Sequence, residues 1–280
     1  MSKATLFPNY ALWHASLYED IWNIVGATAT ILPFGDPYHG AATATTFTSQ
    51  RATATGLNAT CTWANSLTLA TFGTPAPQHV GIIPVAAFNG TNEYATTPDD
   101  TYWSRGDGAT DSSVSIVVWV NITDTANFRR IFEKGTGAAS TSEWSLGITT
   151  TDLLQFALFD ASLGVVPFRN SNAAVAAGSW VQLAAIYDVT GGSGATAANG
   201  ITLYVNGAAV ASTATNEATY IAMENTAQTV ALGSDNGGGS YFSGSIAGGP
   251  LGTLYVQAVL TAAQIARLYQ VGRRALALAA

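Results

Sequence analysis

An Asn-Gly pair between two strand-like runs constrains the last third of this chain more than any other feature. Asn206 and Gly207 separate residues 201–205 from residues 208–211. A two-residue hairpin turn that matches strand twist needs positive φ at both central positions, which Asn and Gly tolerate best. The sequence therefore predicts a β-hairpin at this point.

Strand periodicity continues on both sides of the hairpin. Residues 180–185 alternate between two faces, and Tyr204 lies between Leu203 and Val205. Alternation with a period of two is typical of strands that present different faces to core and surroundings. These runs predict neighbouring strands of a sandwich.

The chain closes with a helix signal. Thr261 and Gln264 form a capping box, and Ile265, Leu268 and Tyr269 follow as one apolar stripe. A Ser or Thr cap with Glu or Gln three residues later marks a helix start. We expect a short helix after the last strand.

The order of these elements resembles the laminin-G-like, concanavalin-A-like jelly-roll family. The resemblance runs from residue 85 to residue 272 and lies in ordered elements rather than in one signature. They are a Phe-Asn-Gly turn with its return strand at 85–95, strands at 113–120, 129–135, 144–148, 153–159, 178–188, 201–211, 230–233 and 242–246, and the helix at 260–269. The resemblance implies an all-β fold in which two antiparallel sheets form a jelly-roll sandwich.

A second helix is predicted near the start of the chain. Residues 9–25 carry large apolar side chains at helical spacing, with Asn9 as N-cap and Gly26 as stop. We expect an N-terminal helical arm over residues 1–26 and one sandwich domain over residues 27–280.

The aromatic residues of this arm are candidate interface residues. Four of them fall on more than one helical face: Tyr10, Trp13, Tyr18 and Trp22. Either one stripe docks on the sandwich while another meets a neighbouring subunit of a homo-oligomer, or all of them pack within the chain. The sequence leaves both alternatives open.

Composition excludes several partners. Charged residues make up 10% of the chain and the net charge is −7. Nucleic-acid binding needs a basic stripe, which is missing, so no nucleic-acid partner is expected. The chain contains no run of about 18 apolar residues, so membrane insertion is not expected. The one cysteine, Cys61, excludes an intrachain disulfide, and the Gly- and Ala-rich residues 190–200 are expected to form an exposed loop.

The sequence lacks the pattern of residues that a hydrolase on this fold would need. A glycosidase needs two carboxylates about 5 to 10 Å apart, and glucanases related to this fold place them on alternate positions of one strand. The glutamates outside the predicted arm lie apart in sequence: Glu93, Glu133, Glu143, Glu217 and Glu224. The histidines His14, His39 and His79 show no zinc-ligand spacing. We therefore expect no enzymatic activity.

Calcium is the one cofactor that the resemblance suggests, because laminin-G-like domains often bind it through Asp or Asn side chains and backbone carbonyls. The candidates are Asn89, Asn92, Asp235 and Asn236. The chain departs from the family at residues 247–249, where Ala-Gly-Gly replaces the usual acidic residues. The alternative is that these side chains only shape turns.

Glycan binding would use exposed aromatic side chains as stacking surfaces. Five aromatic residues stand in loop-like contexts: Tyr38, Tyr102, Trp103, Tyr220 and Tyr241. For each of them alone, packing within the domain is favoured over a role as a stacking surface. A surface-glycan partner remains one alternative.

Two functions follow as expectations. Residues 1–8 contain no apolar segment of a secretory leader, whereas the family usually works outside cells. A phage virion protein made in the host cytoplasm and displayed on the virion surface would reconcile these facts. We expect a capsid-decoration or tail-associated subunit that contacts other virion proteins, and the alternative is a carbohydrate-binding module or adhesin domain.

Overall fold

The fold was analysed in a computed structural model. The structure describes residues 10–26, 28–33, 46–48, 50–51, 60–64, 68–71, 83–123, 127–236 and 239–278. For residues 10–14, 46–48, 50–51, 60–64 and 68–71 it describes the backbone alone.

Two antiparallel sheets form a sandwich, as the sequence predicted. Sheet I contains β1 (Ala29–Leu32), β3 (Gln50–Arg51), β5 (Thr68–Thr71), β6 (Pro84–Asn89), β8 (Val114–Ile122), β13 (Trp180–Tyr187), β14 (Ile201–Val205), β15 (Ala208–Ala209), β18 (Ser243–Ala247) and β19 (Thr253–Val256). Sheet II contains β2 (Thr46–Thr48), β4 (Thr60–Ala64), β7 (Tyr94–Thr97), β9 (Arg129–Lys134), β10 (Trp144–Ile148), β11 (Leu153–Leu158), β12 (Phe168–Ala174), β16 (Ser212–Thr215) and β17 (Val230–Leu232).

The predicted hairpin joins β14 to β15. Asn206 has φ 51° and Gly207 has φ 80°, and Val205 pairs with Ala208 across the turn. The Asn206 Oδ1 also accepts a hydrogen bond from the Gln182 amide at 3.0 Å. The turn therefore fixes the register of two strands through both its backbone and its side chain.

The main core lies between the sheets. β8 alternates strictly: Val118 and Val120 point into this core, whereas Val117 and Trp119 point to the opposite face of sheet I. From sheet II, Phe132 and Trp144 are fully buried against the aromatic ring of Tyr255. The continuous apolar run of β8 is explained by burial on both of its faces.

Two helices cover the outer face of sheet I. They are α1 (Tyr10–Val25) and α2 (Ala262–Ala275). Leu17 and Ile21 of α1 share one buried cluster with Ile265 and Leu268 of α2 and Trp119 of β8. Both helices were expected, and the predicted capping box between Thr261 and Gln264 is present.

Close packing of α2 needs a glycine. The ring of Tyr269 stacks on Trp119 at 5.6 Å and 13°. Gly272, one turn later, is buried, and a Cβ there would lie 2.3 Å from Trp119 Nε1. The indole therefore occupies the space that any larger residue at position 272 would need.

The N-terminal helix packs on its own chain. Tyr18 is buried in the cluster beneath the helices, and its ring stacks on half-buried Trp22 at 6.1 Å. The interface prediction is therefore wrong for Tyr18, because its ring is already covered within the protomer. The side chains of Tyr10 and Trp13 lie outside the described residues.

The segment 190–200 also differs from the expectation of an exposed loop. It contains a kinked 3-10 helix, Gly194–Gly200, in which Ala197 and Ala198 are fully buried. Small side chains allow this backbone to approach the core closely. The low apolar content of the segment concealed that burial.

Candidate functional site

Strand register brings four loops together at one end of the sandwich. Tyr187, the last residue of β13, pairs with Val114, the first residue of β8, and Lys134 of β9 pairs with both Trp144 and Val230. These pairings place loops 98–113, 159–167, 188–200 and 216–229 at the same end. We call it the Asp111 end, and the opposite end, which carries the Asn89 turn, is the Asn89 end.

A buried lysine anchors two of these loops. Lys134 Nζ lies 3.1 Å from the Glu143 carboxylate and also forms an ion pair with Asp99. It donates to the carbonyls of Thr226 and Gln228 at 2.9 and 3.0 Å. Because a buried ammonium without partners is costly, these contacts hold loop 216–229 against the sandwich.

Asp111 connects the loops of the two sheets. Its Oδ2 accepts hydrogen bonds from the phenols of Tyr187 at 2.7 Å and Tyr220 at 2.9 Å. Its Oδ1 accepts from the Met223 amide at 2.8 Å. Burial raises the pKa of Asp111, although these three donors oppose the rise. Burial also raises the pKa of both tyrosines, so both phenols remain protonated donors.

An open groove lies beside Asp111. Its volume is about 550 Å³, and its lining residues are Ala109, Thr110, Asp111, Val189, Ser193, Gly194, Tyr220 and Ile221. The lining combines hydroxyl groups, one carboxylate and aliphatic side chains. A concave site with a few oriented polar groups among apolar ones is typical of small-ligand binding.

Asp160 binds the backbone of two exposed aliphatic residues, one of which lines this groove. Its Oδ1 accepts from the Leu163 amide at 3.0 Å, and its Oδ2 accepts from the Ile221 amide at 3.1 Å. Leu163 is 47% exposed and Ile221 is 52% exposed, and among the described residues Val259 is the only other exposed large hydrophobic residue. A buried carboxylate therefore binds the backbone amides of two of these three exposed residues, of which Ile221 lines the groove.

Three of the predicted stacking aromatics are buried, and the prediction is wrong for two of them, Tyr102 and Trp103, because they do not line the groove. Trp103 is fully buried, and Tyr102 is 9% exposed against Trp103 and Tyr255. Burial raises the pKa of Tyr102 to about 12. Tyr220 is buried as well, although one side of it lines the groove.

The other two stacking candidates have different outcomes. Tyr241 is half-buried at the Asn89 end, with its ring centroid 6.2 Å from that of Tyr94. Tyr38 lies outside the described residues. Among the candidates that the structure describes, Tyr241 therefore has the most accessible ring.

The asparagines proposed for calcium are occupied by their own turn. Asn89 Oδ1 accepts from the amides of Thr91 at 2.8 Å and Asn92 at 3.1 Å. The Asn89 side-chain Nδ2 donates to Asn92 Oδ1 at 2.9 Å. Both side-chain oxygens thus close the turn, so the pair does not fit a calcium site.

The second calcium pair offers one carboxylate. Asp235 is buried, and its Oδ1 has no hydrogen-bond partner. Asn236 follows with φ 59° in a turn. Calcium takes six to eight oxygen ligands, whereas the described part of the chain contains no group of three or more His, Cys, Asp or Glu residues placed to hold a metal. These residues do not make a calcium site by themselves.

The two buried glutamates each have a cation beside them. Glu133 lies 2.8 Å from Arg130 Nε, and Glu143 lies 3.1 Å from Lys134 Nζ. Burial raises the pKa of Glu133, and the charge of Arg130 opposes that rise. Both carboxylates are therefore tied to neighbouring side chains rather than presented as a pair to a cleft.

Sequence reasoning missed Asp111, Asp160, Leu163 and Ile221. One usable signal was the recurrence of an aspartate followed two or three residues later by Ser or Thr, as in Asp107-Thr110, Asp160-Ser162 and Asp188-Thr190. Each of these aspartates accepts bonds from its following residues, and all three lie at the Asp111 end. Such turns mark ordered loops, which often carry function.

The fold and a family model agree on the class of protein. The model of the concanavalin A-like lectin/glucanases superfamily, laminin G type, matches residues 89–266. The chain belongs to this superfamily.

Several solved structures share the fold. A structure of botulinum neurotoxin type C, described as depending on two ganglioside molecules for entering cells, has 12% identity and a TM-score of 0.55, and the match covers 91% of this chain and 52% of that one. The serotype G binding domain has 12% identity, a TM-score of 0.58 and coverages of 88% and 51%. The neurotoxin DC binding domain in complex with SialylT has 12% identity, a TM-score of 0.54 and coverages of 86% and 50%.

These likenesses concern the fold alone. This chain spans about half the length of the solved structures that it matches. No curated protein matches its sequence. Among the described residues, no helix has the length and apolar character that crossing a membrane requires.

Proposed function

We propose that this chain is a non-catalytic carbohydrate-binding module and that the groove beside Asp111 is its saccharide site. The observation that carries the proposal is the position of Ile221, which lines the groove and is 52% exposed. When the C–H face of a sugar covers an exposed aliphatic side chain, apolar surface leaves water, and this burial stabilises the complex. The hydroxyls of Thr110 and Ser193 supply polar groups suited to sugar hydroxyls.

The fold neighbours support this choice of ligand. Two of them are described with a ganglioside or a sialylated ligand. The non-catalytic part of the proposal rests on Glu133 and Glu143, whose carboxylates are tied to Arg130 and Lys134. A turnover assay that releases reducing sugar would contradict it.

The test is a glycan array probed with the full chain, followed by calorimetric titration of any oligosaccharide that binds. Covering the exposed half of one isoleucine contributes about 1 kcal/mol, so Ile221→Ser should weaken binding about five- to tenfold. Val259→Ser is the matched control, because Val259 is also an exposed branched residue but does not line the groove. No binding to any glycan, or equal losses in the two variants, would refute the proposal.

A virion role is the second candidate. Its support is compositional: only 10% of the residues are charged, and Thr, Ala and Gly dominate the polar and small positions. In this role the chain is a capsid-decoration or tail-associated subunit on the virion surface, which assembles with other virion proteins. Light scattering on the full chain and co-purification with particles test it. A monomer that never co-purifies with particles would contradict it.

A further inference from the structure

Four of the loops at the Asp111 end, which are 98–113, 159–167, 188–200 and 216–229, hold an unusual share of the negative charge, and the fifth, 135–143, adds only Glu143, which is paired with Lys134. These four loops contain eight carboxylates, at Asp99, Asp100, Asp107, Asp111, Asp160, Asp188, Glu217 and Glu224. Against these they contain one cationic residue, Arg105. The local balance of −7 equals the formal net charge of the whole chain, so the rest of the molecule is neutral on balance.

The cations near this end are engaged inside the protein. Lys134 is fully buried among its four partners, as described above. Arg169 donates to the carbonyls of Ala198, Asn199 and Ile201. Arg105 is half-buried, and its charge opposes the rise that burial causes in the pKa of Tyr102 and Tyr255.

The groove itself is lined by a carboxylate. Asp111 lines it, and three donors already occupy the carboxylate. A carboxylate offers about four acceptor positions, so one remains for a neutral hydroxyl donor. An acidic sugar also brings an anionic group of its own, which cannot donate to Asp111 and carries a like charge.

We propose that the groove selects saccharides by charge, accepting non-acidic sugars and rejecting sialylated or sulfated ones. This inference rests on the proposed function, because it names the ligand class of the same site. A ligand carboxylate about 5 to 10 Å from several like charges in water should lose about tenfold in affinity. The preference thus runs opposite to that of a receptor for sialic acid.

The test uses an array in which each oligosaccharide core is printed with and without terminal sialic acid. We expect the unsialylated form of each bound core to bind at least about tenfold more tightly than the sialylated form in 0.1 M salt. The ratio should shrink in 1 M salt, because the screening length falls from about 10 Å to about 3 Å. A steric cause would leave the ratio unchanged by salt and would overturn the proposal.

A charge-adding variant separates electrostatics from fold. Ser193 is exposed and lines the groove. Ser193→Lys should therefore reduce, several-fold, the ratio of the affinity for unsialylated cores to the affinity for sialylated cores. Ser179→Lys is the matched control, because Ser179 is exposed in the loop before β13 at the Asn89 end. This control should leave the ratio as it is in the unmodified protein.

The outcomes separate the two proposals. Absence of any glycan binding defeats the proposed function and this inference with it. Binding that Ile221→Ser weakens, but that is equal or tighter for sialylated cores, keeps the saccharide site and overturns the charge selection. Binding that favours unsialylated cores and responds to salt and to Ser193→Lys supports both.

Discussion

Replacing Asp160 with alanine should loosen the proposed binding surface more than it disturbs the core. Asp160 is 1% exposed and accepts three hydrogen bonds, from Ser162 Oγ at 2.9 Å and from the amides of Leu163 and Ile221. Two of these bonds are local, and the third joins loop 159–167 to loop 216–229. The variant removes all three acceptor contacts at once.

The magnitude follows from the type of bond. A hydrogen bond to a charged group contributes about 1.5 to 3 kcal/mol. Water can replace the carboxylate for the donors near exposed Leu163, so the full sum is not lost. We expect the free energy of unfolding to fall by about 3 kcal/mol, which is about 6 to 12 °C in Tm for a domain of this size.

Asp107 provides a matched control. Its Oδ1 accepts from the amides of Ala109 at 3.0 Å and Thr110 at 2.7 Å, which repeats the local turn of Asp160. It lacks the bond to a second loop, and it is fully exposed. Asp107→Ala should therefore cost much less stability than Asp160→Ala.

Urea unfolding followed by tryptophan fluorescence measures both variants, because Trp103 and Trp144 are fully buried. Glycan titration of the folded variants gives a second readout, in which Asp160→Ala should bind more weakly because Ile221 is no longer held. Equal losses of stability in the two variants would refute the reasoning, since burial and the bond between loops are what distinguish them.

Two further predictions concern pH and packing. Burial raises the pKa of Asp111, so its contribution to stability is full below a pH of about 4 and is lost as pH rises through the raised value. The unfolding free energy of the wild type minus that of Asp111→Asn should therefore fall between pH 4 and 7. Backbone amides lower the pKa of Asp107, so the same difference measured with Asp107→Asn should rise. A difference that rises with pH for Asp111 as well would contradict this reasoning. Gly272→Ala would place a Cβ 2.3 Å from Trp119 Nε1 and should cost about 1 to 3 kcal/mol in thermal unfolding, while Gln270→Ala, exposed on the same helix, should be near neutral.

The architecture was largely predictable because its signals are local. The Asn206-Gly207 turn and the Thr261-Gln264 capping box each need only a few adjacent residues, and both are present as predicted. The β-rich pattern then restricts the fold to a layered sandwich. Such features require no knowledge of what lies across the core.

The site was less predictable because it depends on pairs that are far apart in the chain. Asp111 meets Tyr220 and Met223, more than a hundred residues later. Aromatic residues in loop-like contexts suggested exposure, yet Tyr102 and Trp103 turn inward to complete the aromatic core around Tyr255. The local sequence indicated a loop there but not the direction of its side chains.

The burial of Lys134 has a practical consequence for handling the protein. The sequence contains two lysines, Lys3 and Lys134, and Lys134 is fully enclosed. An amine-reactive dye therefore reaches the Lys134 side chain only when the fold opens. Because Lys134 binds Glu143 and the carbonyls of Thr226 and Gln228, its modification would report the opening of the Asp111 end.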